Sequence, residues 1–210
     1  MKRAAFAVQM HSGWGVLVAV SGAPHAIEIL ARRRIVTADP EMPGAIQPYH
    51  YAMNLKLPES DKHLAKCAAA STRLAVAAIA DLVKELNARQ FHIVGSAVLL
   101  ASGRSLPPLE KILASHPLIH TAEGEFFRHT VSQACEDLQI SVTAIRQREL
   151  DERAKAAFGI AATRVLGSIA SLGKTIGPPW TKDHKTAALA AALILASGDT
   201  VGWTMPADRP

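Results

Sequence analysis

The sequence predicts an α/β fold built on a mixed five-stranded sheet flanked by helices. Three observations carry this expectation. Three short apolar runs separated by tight turns fill residues 4–36. A long helical pattern follows and leads directly into a fourth apolar run at 91–101. A fifth, alternating run at 139–145 then lies between two further helical stretches. Strands joined by short turns pair antiparallel, whereas a helix between strands is the usual crossover of a parallel pair.

Residues 4–10 are apolar enough for a buried central strand. His11-Ser12-Gly13-Trp14-Gly15 reads as a turn whose two glycines can take backbone conformations closed to other residues. Residues 16–20 form the second strand. In the third, over 25–37, Ile27, Ile29, Ala31 and Ile35 alternate with Glu28, Leu30, Arg32 and Arg34, the period of a half-exposed strand. Pro40, Pro43, Gly44 and Pro48 make residues 38–60 a loop, in which Pro48-Tyr49-His50-Tyr51 packs aromatic rings on the body. Ser60 is the expected cap of a helix over 61–86. Its apolar stripe is Leu64, Cys67, Ala68, Ala75, Ala78, Ile79, Leu82 and Leu86. Beyond the fourth strand come a loop at 104–108, a short helix at 109–114 and a helix from about 122 to 138. After the strand at 139–145, residues 149–172 are helical with an interruption at Gly159. The last helix covers 186–196 and stops at Gly198, leaving 199–210 as a loose tail.

With no repeat, low-complexity segment or linker, residues 1–210 are expected to form one domain. Hydrophobic residues at 49% and charged residues at 20% allow a sizeable core. A net charge of +5 permits a polyanionic partner without requiring one. The dense basic run Arg32-Arg33-Arg34 reads as a solvated strand end ahead of a phosphate contact. Cys67 and Cys135 lack any motif spacing and read as buried free thiols of a reducing compartment. Met1-Lys2-Arg3 and the apolar residues behind it imitate a signal peptide, but Gln9, His11 and Ser12 break the run. No uninterrupted stretch of about 18 apolar residues occurs, so a cytoplasmic protein without a membrane span is expected.

Two polar concentrations stand out. The first is Gly177-Pro178-Pro179-Trp180-Thr181-Lys182-Asp183-His184-Lys185, a rigid turn delivering one acid among basic side chains at the mouth of an Ala/Leu helix. The second runs from His116 to His129. On a helix, His120 and Glu123 are neighbours at i,i+3 and Glu125 and His129 at i,i+4. Imidazole beside carboxylate can hold a metal or exchange a proton near neutral pH. The competing reading has Thr121 capping the helix and both acids favoured by the dipole of its first turn. Pro117 argues against one smooth helical face for His116 and His120, so a His-x-x-x-His metal pair is not expected. The stretch from Gly167 to Lys174-Thr175 imitates a phosphate loop, but five residues separate its glycines where four are needed. Nucleotide binding is not expected there. The Gly-Pro-Pro turn is expected to fold Lys174 and Thr175 back toward Asp183.

Three antiparallel strands, a long helix, a strand, a helix, a strand and closing helices resemble the element order of the ribonuclease H-like superfamily. Residues 4–101 look like the front half of the Holliday-junction resolvases. The resemblance implies a three-layer fold and a set of carboxylates holding divalent metal, Mg or Mn, for phosphodiester cleavage. Asp183 matches the carboxylate at the start of the last helix and would be the metal ligand. On the first strand the corresponding place holds Met10 and His11, and on the fourth Val94-Gly95-Ser96, with no acid at either. The implied function is therefore nucleic-acid-associated with an atypical or degenerate nuclease-type site. Asp183, Glu123, Glu125, His11 and His120 are its candidate catalytic residues, and Lys174, Lys182 and Lys185 its phosphate contacts. A scaffold or oligomerisation module of the same fold, with possible homo-oligomers, is the alternative. Small-molecule hydrolysis by a His–Glu pair ranks third, since neither Ser12 nor Ser96 stands in a hydrolase elbow.

Overall fold

Period-two alternation along the first strand sets up two cores. β1 (Lys2–His11) turns Ala5 and Ala7 to one face and Ala4, Phe6, Val8 and Met10 to the other, all buried. A computed structural model describes residues 1–101 and 105–197. In it β1 pairs antiparallel with β2 (Trp14–Ser21), and β2 antiparallel with β3 (Glu28–Val36). β4 (Phe91–Leu100) joins β1 in parallel, and β5 (Val142–Arg146) joins β4 in parallel. The sheet order is β3-β2-β1-β4-β5, the mixed five-stranded sheet expected from the sequence.

Helices cover both faces. α1 (Pro48–Ala52), α2 (Leu57–Ala88), α3 (Leu109–Leu113) and α4 (His116–Asp137) precede β5. α5 (Leu150–Phe158), α6 (Ala162–Ser171), α7 (Gly173–Ile176) and α8 (Lys182–Ser197) follow it. α2 and α4 pack on the Phe6 face; α5, α6 and α8 pack on the Ala5 face. α8 presents Ala187, Ala188, Ala190 and Ala191, none with any exposure, to a sheet face that itself carries Ala5, Ala7 and Ala97. Small side chains on both sides bring the helix axis close to the sheet and leave no room for a larger residue. Cys67 and Cys135 are free and buried, and burial pushes the Cys135 thiol up to about 11.

Several boundaries differ from the expectation, each for a local reason. α2 starts at Leu57, because proline is tolerated in a helix's first turn. Ser60 does not cap it; its buried hydroxyl donates to the carbonyl of Ala52 at 2.8 Å and ties α1 to α2. Residues 38–60 therefore contain a short helix. α4 starts at His116, not near 122, since Pro117 also falls in a first turn. In β3 the register shifts opposite Ala19–Val20, which skips Leu30 and buries it in place of Ile29 and Ala31. Gly13 takes a positive φ of 77°, whereas Gly15 does not; an added Cβ at Gly15 would lie 2.5 Å from Met10 Sδ. The helical stretch Gln147–Ile176 has the length and composition to cross a membrane, but its backbone breaks at Gly159, φ 53°. The first residue of the 104–108 loop, the Gly198 stop and the 199–210 tail lie outside the described residues.

Candidate functional site

The end of β1 and the start of α8 meet at one point. His11 Nε2 lies 3.0 Å from Asp183 Oδ2, across 172 residues of sequence. Asp183 sits in the first turn of α8, where the helix dipole favours a carboxylate. His184 takes the position three residues after Thr181. Its Nδ1 accepts the Thr181 hydroxyl at 2.8 Å and the Thr181 N–H at 3.3 Å, a capping-box contact with imidazole in place of the usual Glu. Accepting at Nδ1 leaves the His184 proton on Nε2. Burial, then the Arg32 charge, lower the His184 pKa, with Asp183 opposing. The His11 ring stacks on Trp14 at 4.3 Å and 14°, and the Arg34 guanidinium lies 4.0 Å from the same indole centroid. A carboxylate that holds Nε2 of His11 leaves Nδ1 as the position for accepting or donating a proton.

The three consecutive arginines split between faces, as period two requires. Arg32 donates to four successive carbonyls, those of Ile176, Gly177, Pro178 and Pro179, at 2.7–3.2 Å. Arg33 pairs with Glu85 of α2 on the opposite face. Trp180 Nε1 donates to the Ile169 carbonyl at 2.8 Å, and a Cβ on Gly173 would meet the Trp180 side chain at 2.8 Å. The Gly-Pro-Pro turn, with a cis Pro178–Pro179 bond, is thus held by the sheet on one side and by α6 on the other. These contacts shape a cleft of about 340 Å³ lined by Trp14, Arg32, Arg34, Asp183 and His184 among others.

The three lysines lie elsewhere. Lys182 and Lys185 line a second cleft of about 880 Å³, with Arg148 and Asp151, on the other flank of α8. Lys174 is exposed on α7 and lines neither cleft. The cations beside Asp183 come instead from β3, which the sequence pattern marked only as a basic run. Trp14 was legible as the neighbour of His11 in the turn; His184 gave no signal beyond its place beside Asp183.

Glu123, Glu125 and His120 belong to α4, in the layer on the other face of the sheet from α8. Because α4 begins at His116, both acids stand beyond its first turn, and the capping explanation for them falls. Thr121 is no cap either: its hydroxyl donates to the Pro117 carbonyl at 3.0 Å within the helix. His120 pairs with His116, Nε2 to Nε2 at 3.0 Å, rather than with Glu123. Glu123 is 3% exposed and accepts the His50 backbone N–H at 3.1 Å. Burial and then the Glu123 charge raise the Tyr49 pKa. Glu125 pairs with Arg128 at 3.2 Å, and Arg128 Nε donates to the Leu99 carbonyl, fastening α4 to the end of β4.

The fourth-strand position also moves. Phe6 pairs with Ser96 and Val8 with Val98, so 94–96 lies beside the middle of β1, not beside His11. Past the Val8–Val98 pair β4 ends in Leu99-Leu100, which offers no acid either. Ser96 is spent on the sheet, its hydroxyl donating to the Ser141 carbonyl at 3.0 Å. A pair of hard cations takes several carboxylate oxygens. Among the described residues lining this cleft the one carboxylate is Asp183, with one oxygen already held by His11 and guanidinium groups around it. That donor set does not fit a two-cation Mg or Mn centre.

A 3-2-1-4-5 sheet, antiparallel then parallel, between two helical layers is the ribonuclease H-like fold. No family model and no curated protein matches the chain. Among solved structures it is similar to RuvC of Thermus thermophilus in complex with Holliday junction substrate, at 12% identity and a TM-score of 0.49, covering 94% of this chain and 95% of that one. A second Thermus thermophilus RuvC structure matches at 10% identity and 0.49, over 93% and 95%. A member of the Ppx/GppA family from Aquifex aeolicus matches at 9% and 0.35, over 76% of this chain and 41% of that one.

Proposed function

We propose that the protein binds nucleic acid where the end of β1 meets the start of α8, with His11–Asp183 standing where nucleases of this fold gather carboxylates. The observation that carries this is the 3.0 Å His11–Asp183 contact, bordered by Arg32, Arg34 and Trp14. Arg34, laid on the indole of Trp14, supplies a cation for phosphate beside the His11–Asp183 pair. Lys182, Lys185 and Arg148 extend the positive surface along the other flank of α8. Chemistry at this point is proton exchange through His11, oriented by Asp183, and not cation-pair hydrolysis. A non-catalytic scaffold is the second reading, favoured by the structural use of Arg32 and Arg33, whose side chains are committed to the turn and to Glu85.

Fluorescence anisotropy with labelled single-stranded, duplex and four-way-junction DNA tests the binding. The wild type is expected to bind at low salt, and Arg34→Ala with Lys185→Ala to weaken binding about tenfold and reduce the salt slope by nearly 2. Absence of binding to all three DNAs, or an unchanged double variant, sinks the reading and leaves the scaffold. His11→Ala separates the roles: strand cleavage lost with binding retained supports proton exchange there.

A further inference from the structure

We propose that His50, His116 and His120 form a binding site for a divalent transition metal of the zinc class, with Glu123 orienting His50 from behind. The three side chains each bring a ligand nitrogen, and these nitrogens lie within 4.8 Å of one another. His116 and His120 stand one turn apart on α4, with Nε2 atoms 3.0 Å apart. His50 comes from α1, its ring centroid 5.2 Å from that of His116 and 4.8 Å from that of His120. A tetrahedral ion at about 2.0–2.1 Å from each nitrogen needs nitrogens about 3.3–3.4 Å apart. Small rotations of the exposed His116 and His120 rings reach that spacing.

Glu123 is the second, independent observation. A nearly fully buried carboxylate is costly unless a positive group offsets it. Its partners are the His50 backbone N–H and His50 Nδ1, 2.9 Å from Oε1. That ring contact is out of line for a straight hydrogen bond, and Nδ1 is buried with no other acceptor among the described residues. A small rotation of the ring would let Nδ1–H donate to Glu123, 2.9 Å away, and leave the lone pair of Nε2 for an ion. This is the carboxylate–histidine–metal relay that fixes tautomer and ring direction at metal sites. A dication bound through His50 in turn supplies the charge that Glu123 lacks.

The donor chemistry selects the metal. Three neutral imidazoles suit Zn, Cu, Ni or Co, while Mg and Ca require oxygen ligands. The exposure of His116 and His120 leaves a fourth position open to water, as in three-ligand zinc sites. The ion would also join the five-residue α1 to the first turns of α4. The site lies on the α4 side of the sheet and shares no residue with the His11–Asp183 cleft.

The test uses the full chain without a histidine tag, stripped with chelator and titrated with Zn²⁺ by calorimetry and with Co²⁺ by absorption. One equivalent of each is expected, with the visible bands of tetrahedral Co²⁺. His116→Ala, and the double variant with His120→Ala, are expected to lose at least about 100-fold in affinity, and Glu123→Gln about 10–100-fold. His92→Ala, at an exposed position on β4, is expected to change nothing. No saturable one-to-one binding, or equal affinity in the folded His116→Ala protein, overturns the site. Unchanged affinity in Glu123→Gln removes Glu123 from it.

Discussion

The two histidine–carboxylate assemblies of this protein use the same residue types in opposite electrical senses. In the β1–α8 cleft, the imidazoles of His11 and His184 and one partly exposed carboxylate stand beside the guanidinium groups of Arg32 and Arg34. Around Glu123, three imidazoles gather in front of one buried carboxylate, and among the described residues no Lys or Arg pairs with it. The first arrangement suits an anion, the second a cation. What separates them is neither the histidine nor the acid but the charge that surrounding elements supply.

The comparison can be broken layer by layer. The largest effect is expected from Phe127→Ala, which empties a fully packed position under α4 and costs about 3–5 kcal/mol in urea unfolding. It should loosen the histidine cluster and lower zinc affinity. Arg32→Ala comes next. It strips four carbonyls of their donor, and a loss of about 3 kcal/mol is expected, with Arg32→Lys failing to restore it because an ammonium cannot fork. DNA binding should fall while zinc affinity holds; loss of both would mean the two regions are one cooperative unit.

A smaller effect follows from His184. Its pKa in the fold lies below the ordinary 6.5, so the unfolded chain takes up the proton first. The stability it contributes is complete above that value and is lost as pH falls through the lower folded value. Melting temperature between pH 7.5 and 5.5 should drop less steeply in His184→Gln, which keeps an acceptor for Thr181. An unchanged acid slope would place the acid sensitivity elsewhere. The smallest effect is expected from Lys174→Ala, since Lys174 lines neither cleft: less than about a twofold change in DNA affinity.

Much of the fold was legible because its signals are local. Alternation in β1 and β2, the stripe of α2 and the break at Gly159 each follow from a few neighbouring residues. His11 and Asp183 were legible together because an element order that ends β1 beside the last helix leaves them little choice. The Arg32-Arg33-Arg34 run misled, because which face each arginine serves depends on the bulge at Leu30 and on what lies across the sheet. Pro117 misled in another way. It was weighed as a helix breaker, and it proved to be a first-turn residue, which put His116 and His120 on one face. His50 could be seen in its aromatic run, but nothing local joined it to α4.

By itself, the sequence determined the order of strands and helices, the buried alanine face of α8 and the shortage of carboxylates at the sheet end. These rest on periodicity, composition and residue identity, which need no partner. Only the tertiary structure decided that Arg32 would grip the turn at 176–179, that Lys182 and Lys185 would face away from the Asp183 cleft, and that Glu123 would meet His50 across 73 residues. Such meetings depend on strand register and helix phase. A shift of one residue in either sends a side chain to the opposite face, and no local pattern records that choice.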